Sequence, residues 1–143
     1  ISPQVFDPFI NKETKAIYDL GGDGVGARLL RQFSDYLDDD IDLLCCINIF
    51  REETETVSKI LKMINILESS GGVKVTGLIN NTNLLRDTRI EDIKQGEAVI
   101  KAVGEITGLP IVYTAIGNFL DTTGIEFAGE KITLDLYLRK KWL

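Results

Sequence analysis

The segment Lys15-Ala-Ile-Tyr-Asp-Leu-Gly-Gly-Asp-Gly-Val-Gly-Ala27 sets an apolar stretch, an acid and a glycine-dense turn in immediate succession. That order reads as a strand over Ala16–Leu20, a tight turn, and a helix from about Val25 to Leu37. Val25, Leu29, Leu30, Phe33 and Leu37 are spaced to fill one face of the helix. An acid and bare backbone N–H groups at a strand's C-terminal end lie where open α/β sheets take their ligands. Such a turn suits a phosphate, a Mg²⁺ ion, or both. One absence limits the reading: no Gly-x-x-x-x-Gly-Lys-Ser/Thr occurs, so the usual phosphate-gripping loop is missing from this sequence.

Strand and helix patterns keep alternating. Asp42 to Phe50 is apolar on both faces, as expected of a central parallel strand. Thr54 to Ser69 is helical, with Val57, Ile60, Leu61, Ile64 and Leu67 at three- and four-residue steps and Gly71-Gly72 ending it. Val73 to Ile79 reads as a third strand. A capping box, Thr88-x-x-Glu91, opens a helix whose core face is Ile93, Ile100, Val103 and Ile106. Gly108 and Pro110 stop it, and Ile111 to Thr114 is a fourth strand. Alternation at Ile132, Leu134, Leu136 and Leu138 marks an edge strand or a packed extended tail. The expected fold is a single α/β domain, a parallel sheet with helices on both faces.

The net charge of −6, with acids bunched at Asp38-Asp39-Asp40 and Asp42, argues against a nucleic-acid surface. There is no histidine, the commonest catalytic base and metal ligand. Cys45 and Cys46 sit side by side in an apolar run and read as buried thiols of a cytoplasmic protein. No apolar run in the sequence is long enough to cross a bilayer, and the reading expects no signal peptide.

Three constellations could carry chemistry. In Asp19-Leu20-Gly21-Gly22 the carboxylate could hold a water of a Mg²⁺ shell while a glycine N–H senses a terminal phosphate. The same residues also suit a tight turn with Asp23 capping the next helix. Gly22-x-Gly24-x-x-Ala27 fits a dinucleotide fingerprint, which needs an acid about twenty residues on, at the end of the next strand. Asp42 has that spacing but starts its strand, and Glu52 lies too far along. The fingerprint is therefore not satisfied. In Gly77-Leu-Ile-Asn-Asn-Thr-Asn83 an Asn amide could match the edge of a purine base, or the Asn residues could simply satisfy a polar loop.

Taken together, the Asp-x-x-Gly strand, the apolar strand with its helix, the strand ending in Asn, the capped helix and the strand ending near Thr114 resemble the second half of the MinD/ParA-type P-loop ATPases. That class also holds the nitrogenase iron protein. The resemblance rests on Ile1-Ser-Pro-Gln-Val5, Tyr18-Asp-Leu-Gly-Gly-Asp-Gly-Val-Gly-Ala27 and Gly77-Leu-Ile-Asn-Asn-Thr-Asn-Leu-Leu85, and extends from Ile1 to about Ile116. It implies a P-loop NTPase-like sheet with Asp19 as the Mg²⁺-side carboxylate, Gly22 as the switch glycine and Gly21 beside it. Asn80 or Asn81 would contact the base, and Thr114 would lie near the nucleotide. ATP and Mg²⁺ would be the ligands, and a homodimer the assembly. In that family the Gly-rich loop with its lysine, on a central strand, precedes everything seen here. The start at Ile1, without Met, fits a domain incomplete at its N-terminus, with ATP turnover confined to the complete protein. The competing expectation is a non-catalytic α/β binding module whose glycine turn serves packing.

Overall fold

The computed structural model describes residues 2–37 and 40–137, so the expectations at Asp38, Asp39 and Leu138 lie outside the described residues. Contacts divide the chain into two compact units: residues 1–41 with 65–74, and residues 42–64 with 75–143.

In the first unit the short helices α1 (Asp7–Ile10) and α2 (Gly24–Arg28) are joined by extended chain, and a 3₁₀ segment, Leu29–Phe33, follows α2. The expected strand at Ala16–Leu20 does not form. An isolated apolar stretch gains nothing from extended backbone without a neighbour to accept its hydrogen bonds. Ile17 is 99% exposed, whereas Tyr18 is tied down. Its ring stacks on Phe9 at 5.6 Å, lies 5.7 Å from Phe33, and its hydroxyl donates to the Val5 carbonyl (2.6 Å). Phe6, Phe9, Phe33 and Tyr36 complete this aromatic cluster, which is the unit's apolar centre.

The helix expected over Val25–Leu37 is α-helical only to Arg28, since Gly24 and Gly26 lower its propensity. Ala27 and Phe33 are buried, whereas Val25 and Leu29 are exposed.

The second unit holds a four-stranded, all-parallel sheet in the order β1 (Leu44–Ile47), β2 (Gly77–Asn80), β3 (Ile111–Gly117), β4 (Glu130–Leu134). Helix α4 (Ile90–Thr107) links β2 to β3, and α3 (Val57–Gly71) follows β1, its first turns in this unit and its last in the other. Strands are added in one direction, the order for which right-handed crossovers put successive helices over the same face. That face bears Cys45, Ile47, Leu78, Asn80, Thr114 and Ile116, all buried. Ile60 and Ile64 of α3 are buried, as are Ile93, Ile100 and Val103 of α4. Ile106, expected on that core stripe, is instead 64% exposed in the last turn of its helix.

The expectations of a central β1 and of two buried thiols change here. One face of the sheet is buried while Cys46 on the other is exposed, and β1 is an edge strand despite its doubly apolar sequence. The register Cys46↔Ile79 puts Cys46 on the opposite face, where it is exposed, whereas Cys45 is buried. Burial and the neighbouring Cys46 thiol push the Cys45 thiol up to about 11. A disulfide-exchange reagent should therefore label Cys46 in the native protein and reach Cys45 only on unfolding, read by mass spectrometry. Fast labelling of both would contradict the register.

The α4 cap also differs from expectation. The helix starts at Ile90, and it is the Asp92 carboxylate that accepts the Arg89 N–H (2.8 Å), not Glu91 pairing with Thr88. Thr88 is buried, accepting from the Leu84 N–H (2.8 Å) and donating to the Leu85 carbonyl (2.6 Å). Left-handed Gly108 (φ 77°) closes the helix as expected. No helix of the described residues is long and apolar enough to cross a membrane.

Candidate functional site

The sheet's C-terminal edge carries a cleft of about 190 Å³ lined by Asn81, Asn83, Leu85, Thr88, Phe119 and Asp135, with Ile116 and Leu134 among its apolar walls. All-parallel strands end there together, which is where open α/β sheets collect ligands. A shallower depression of about 300 Å³ lies by Lys101, Glu105 and Ile111, toward the other end of β3.

The loop after β2 is over-determined by short polar contacts. Asn48, beyond the end of β1, accepts the Asn83 N–H (3.3 Å) and the Phe50 N–H (3.0 Å) through its Oδ1 and donates Nδ2 to the Asn83 carbonyl (3.2 Å). Asn83 donates to the Asn81 carbonyl (2.7 Å) and accepts from Leu85 N–H (3.2 Å). Leu85 is held at φ 54°, a left-handed conformation that a leucine seldom adopts. Strain of this kind persists only where surroundings enforce it, and it gathers at ligand clamps.

The four Asn and Thr residues of Asn80-Asn81-Thr82-Asn83 play separate parts. Asn80 is fully buried; its Nδ2 donates to the Ile93 carbonyl (3.1 Å) and its Oδ1 accepts the Thr82 N–H (3.1 Å). That amide ties β2 to α4. Asn81 is half-buried and lines the cleft, and among the described residues its side-chain amide has no hydrogen-bond partner. Its backbone N–H donates to Ile47 O (2.8 Å), which fixes its place at the sheet's edge. Thr114 is buried below the cleft, its hydroxyl committed to the Ala128 carbonyl (2.7 Å). It does not line the cleft.

Phe119 is 45% exposed at the rim. Its ring occupies the space a Gly117 side chain would need, with Cδ1 3.0 Å from where a Cβ would stand. Asp135, the cleft's carboxylate, accepts from Asn118 Nδ2 (2.6 Å) and Tyr137 OH (3.3 Å). No Lys or Arg lines the cleft among the described residues. An aromatic ring, an available amide and one carboxylate suit a planar polar ligand and disfavour a phosphate.

The residues expected at the phosphate end belong to the other unit. Asp19 is exposed on extended chain. Asp23 caps α2, its Oδ1 accepting the Gly26 N–H (2.6 Å). A Cβ on Gly22 would meet nothing within 4 Å, whereas one on Gly26 would come within 2.6 Å of Gly21 Cα. The glycines at 21 and 26 thus serve a close backbone approach. Among the described residues no group of three or more His, Cys, Asp or Glu could hold a metal ion.

Sequence reasoning passed over Asn48, Phe119 and Glu97. Glu97 is buried on α4, accepting Ala128 N–H (2.7 Å) with Lys94 and Lys101 beside it. Burial raises its carboxyl, but that hydrogen bond and the two lysines outweigh it and hold the group below its ordinary value. A carboxylate on the Ile93–Ile100 stripe was the available signal. No protein-family model, curated protein or solved structure matches the chain.

Proposed function

We propose that this chain carries the nucleobase side of a nucleotide site on a P-loop NTPase-like sheet of MinD/ParA type. One observation carries the reading: Asn81, whose side-chain amide is uncommitted among the described residues, and Phe119 line the same C-terminal-edge cleft. An amide offers a donor and an acceptor in one plane, the pattern that an adenine edge requires, and an aromatic face accepts the ring. Asn80, spent on Ile93 and Thr82, supports the cleft from below.

The phosphate side lies outside these residues in this reading. A Gly-x-x-x-x-Gly-Lys-Ser/Thr loop of a longer protein would grip the β- and γ-phosphates, with Asp19 and Gly22 brought to it as the Mg²⁺-side carboxylate and switch glycine. ATP hydrolysis, a nucleotide-driven homodimer and a cytoplasmic location would go with that complete protein. No catalytic step is assigned to the 143 residues alone.

A second reading is favoured by the Gly21–Gly26 approach: a non-catalytic binding module whose glycine turn is packing. Calorimetry separates the contributions. Adenosine should bind the chain weakly, and Asn81→Ala should weaken it by about tenfold, or roughly 1.4 kcal/mol, with uridine less affected. Equal adenosine affinity in the two proteins would remove Asn81 from the site.

A further inference from the structure

Three successive residues of the β3–β4 connection are held from several directions. Ala128 donates its N–H to Glu97 Oε2 (2.7 Å), and its carbonyl accepts the Thr114 hydroxyl (2.7 Å). Lys94 donates to the Glu126 carbonyl and sits 4.8 Å from the ring centroid of Phe127. Glu97 in turn holds Lys94 at 3.2 Å and Lys101 at 3.4 Å.

These contacts matter because of what they anchor. A connection between neighbouring parallel strands is ordinarily a helix packed on the sheet. Residues 118–129 contain neither helix nor strand, yet they deliver β4 in parallel register to β3. With no helix in the crossover, polar contacts from α4 and β3 fasten it alongside the half-buried Leu120, Ile125 and Phe127. The start of the connection walls the cleft at Phe119, and the far end of β4, the strand it delivers, walls it at Leu134, with Leu136 just beyond.

We propose that Glu97 and Thr114 are positioning residues: together they latch the 118–129 strap, and through it they set the shape of the C-terminal cleft. The latch stands on the contacts alone; only the adenosine measurement below rests on the nucleobase reading. Glu97→Ala removes the acceptor and both ion pairs, Glu97→Gln keeps an acceptor for Ala128, and Thr114→Val removes the hydroxyl.

Hydrogen exchange followed by NMR reads the outcome. Glu97→Ala should speed exchange at Ala128 and in β4 at least tenfold, leave β1 and β2 at wild-type rates, and shift the side-chain signals of Phe119. Glu97→Gln should restore most of that protection, and Thr114→Val should loosen the same segment. Wild-type exchange in 118–129 of Glu97→Ala, or equal acceleration through the whole sheet, would overturn the latch. Should Glu97→Ala not fold, Glu97→Gln and Thr114→Val decide the matter: slight local loosening in the first and marked local loosening in the second support the latch, and unchanged exchange in Thr114→Val rejects it. Adenosine should bind Glu97→Ala about tenfold more weakly than the wild type. Failure of adenosine to bind the wild type would count against the nucleobase reading, while exchange would still judge the latch.

Discussion

Gly96→Ala should cost about 2 kcal/mol of folding stability, although alanine is the better helix former. In an exposed helix the exchange would favour the variant by about 1 kcal/mol. Here a Cβ would come within 2.6 Å of Thr82 Cβ, would overlap the Thr82 hydroxyl, and would stand 2.9 Å from Asn80 Oδ1. Thr82 cannot step aside freely, because Asn80 holds its N–H and its Oγ1 faces the Ile49 N–H at 3.5 Å. Overpacking a fixed site costs typically 1–3 kcal/mol, sometimes more, so the clash outweighs the propensity. Urea unfolding checks the result, with Gly22→Ala as the comparison, since its Cβ enters open space. Gly96→Ala as stable as wild type would mean that α4 does not rest on the β2 loop in this way.

Asn80→Ala should be at least as damaging, by about 3 kcal/mol. The substitution leaves the Thr82 N–H buried without its acceptor, which alone costs about 1–3 kcal/mol, and opens a small void between β2 and α4. Asn81→Ala, one residue along, should stay within about 0.5 kcal/mol of wild type because its side chain holds nothing in place. Thermal or urea unfolding of the two variants distinguishes a structural amide from a recognition amide. Similar losses in both would collapse the distinction on which the nucleobase reading depends.

That distinction was present in the sequence in a form that residue type conceals. Asn80 and Asn81 are chemically alike, but side chains alternate along a strand, so Asn80, the last residue of β2, follows Leu78 onto the buried face, and Asn81 lies past the strand's end. The long helices were legible because Ile60 and Ile64, and Ile93, Ile100 and Val103, repeat at helical spacing and are buried as that spacing requires. Leu44–Ile47 was legible as a parallel strand, but its place at the sheet's edge was not, because an apolar run does not reveal how many neighbours it has. Ala16–Leu20 failed for the same reason in reverse: its composition suits a strand, and strand structure depends on a partner that composition cannot supply. Phe119 lay in the least regular stretch of the chain, where no periodicity points to a cleft.

The most direct test of the nucleobase cleft is an NMR titration of the 143-residue chain with adenosine and with ATP, each with and without Mg²⁺. Both ligands should perturb the Asn81 side-chain amide, Thr88 and Phe119, and bind with similar weak affinity. Mg²⁺ should add nothing, because the cleft offers no cationic side chain to hold the phosphates and no cluster of three metal-ligating side chains among the described residues. Perturbations confined to Gly21–Gly24, or ATP binding far more tightly than adenosine, would place the nucleotide elsewhere and contradict a base-reading role for Asn81.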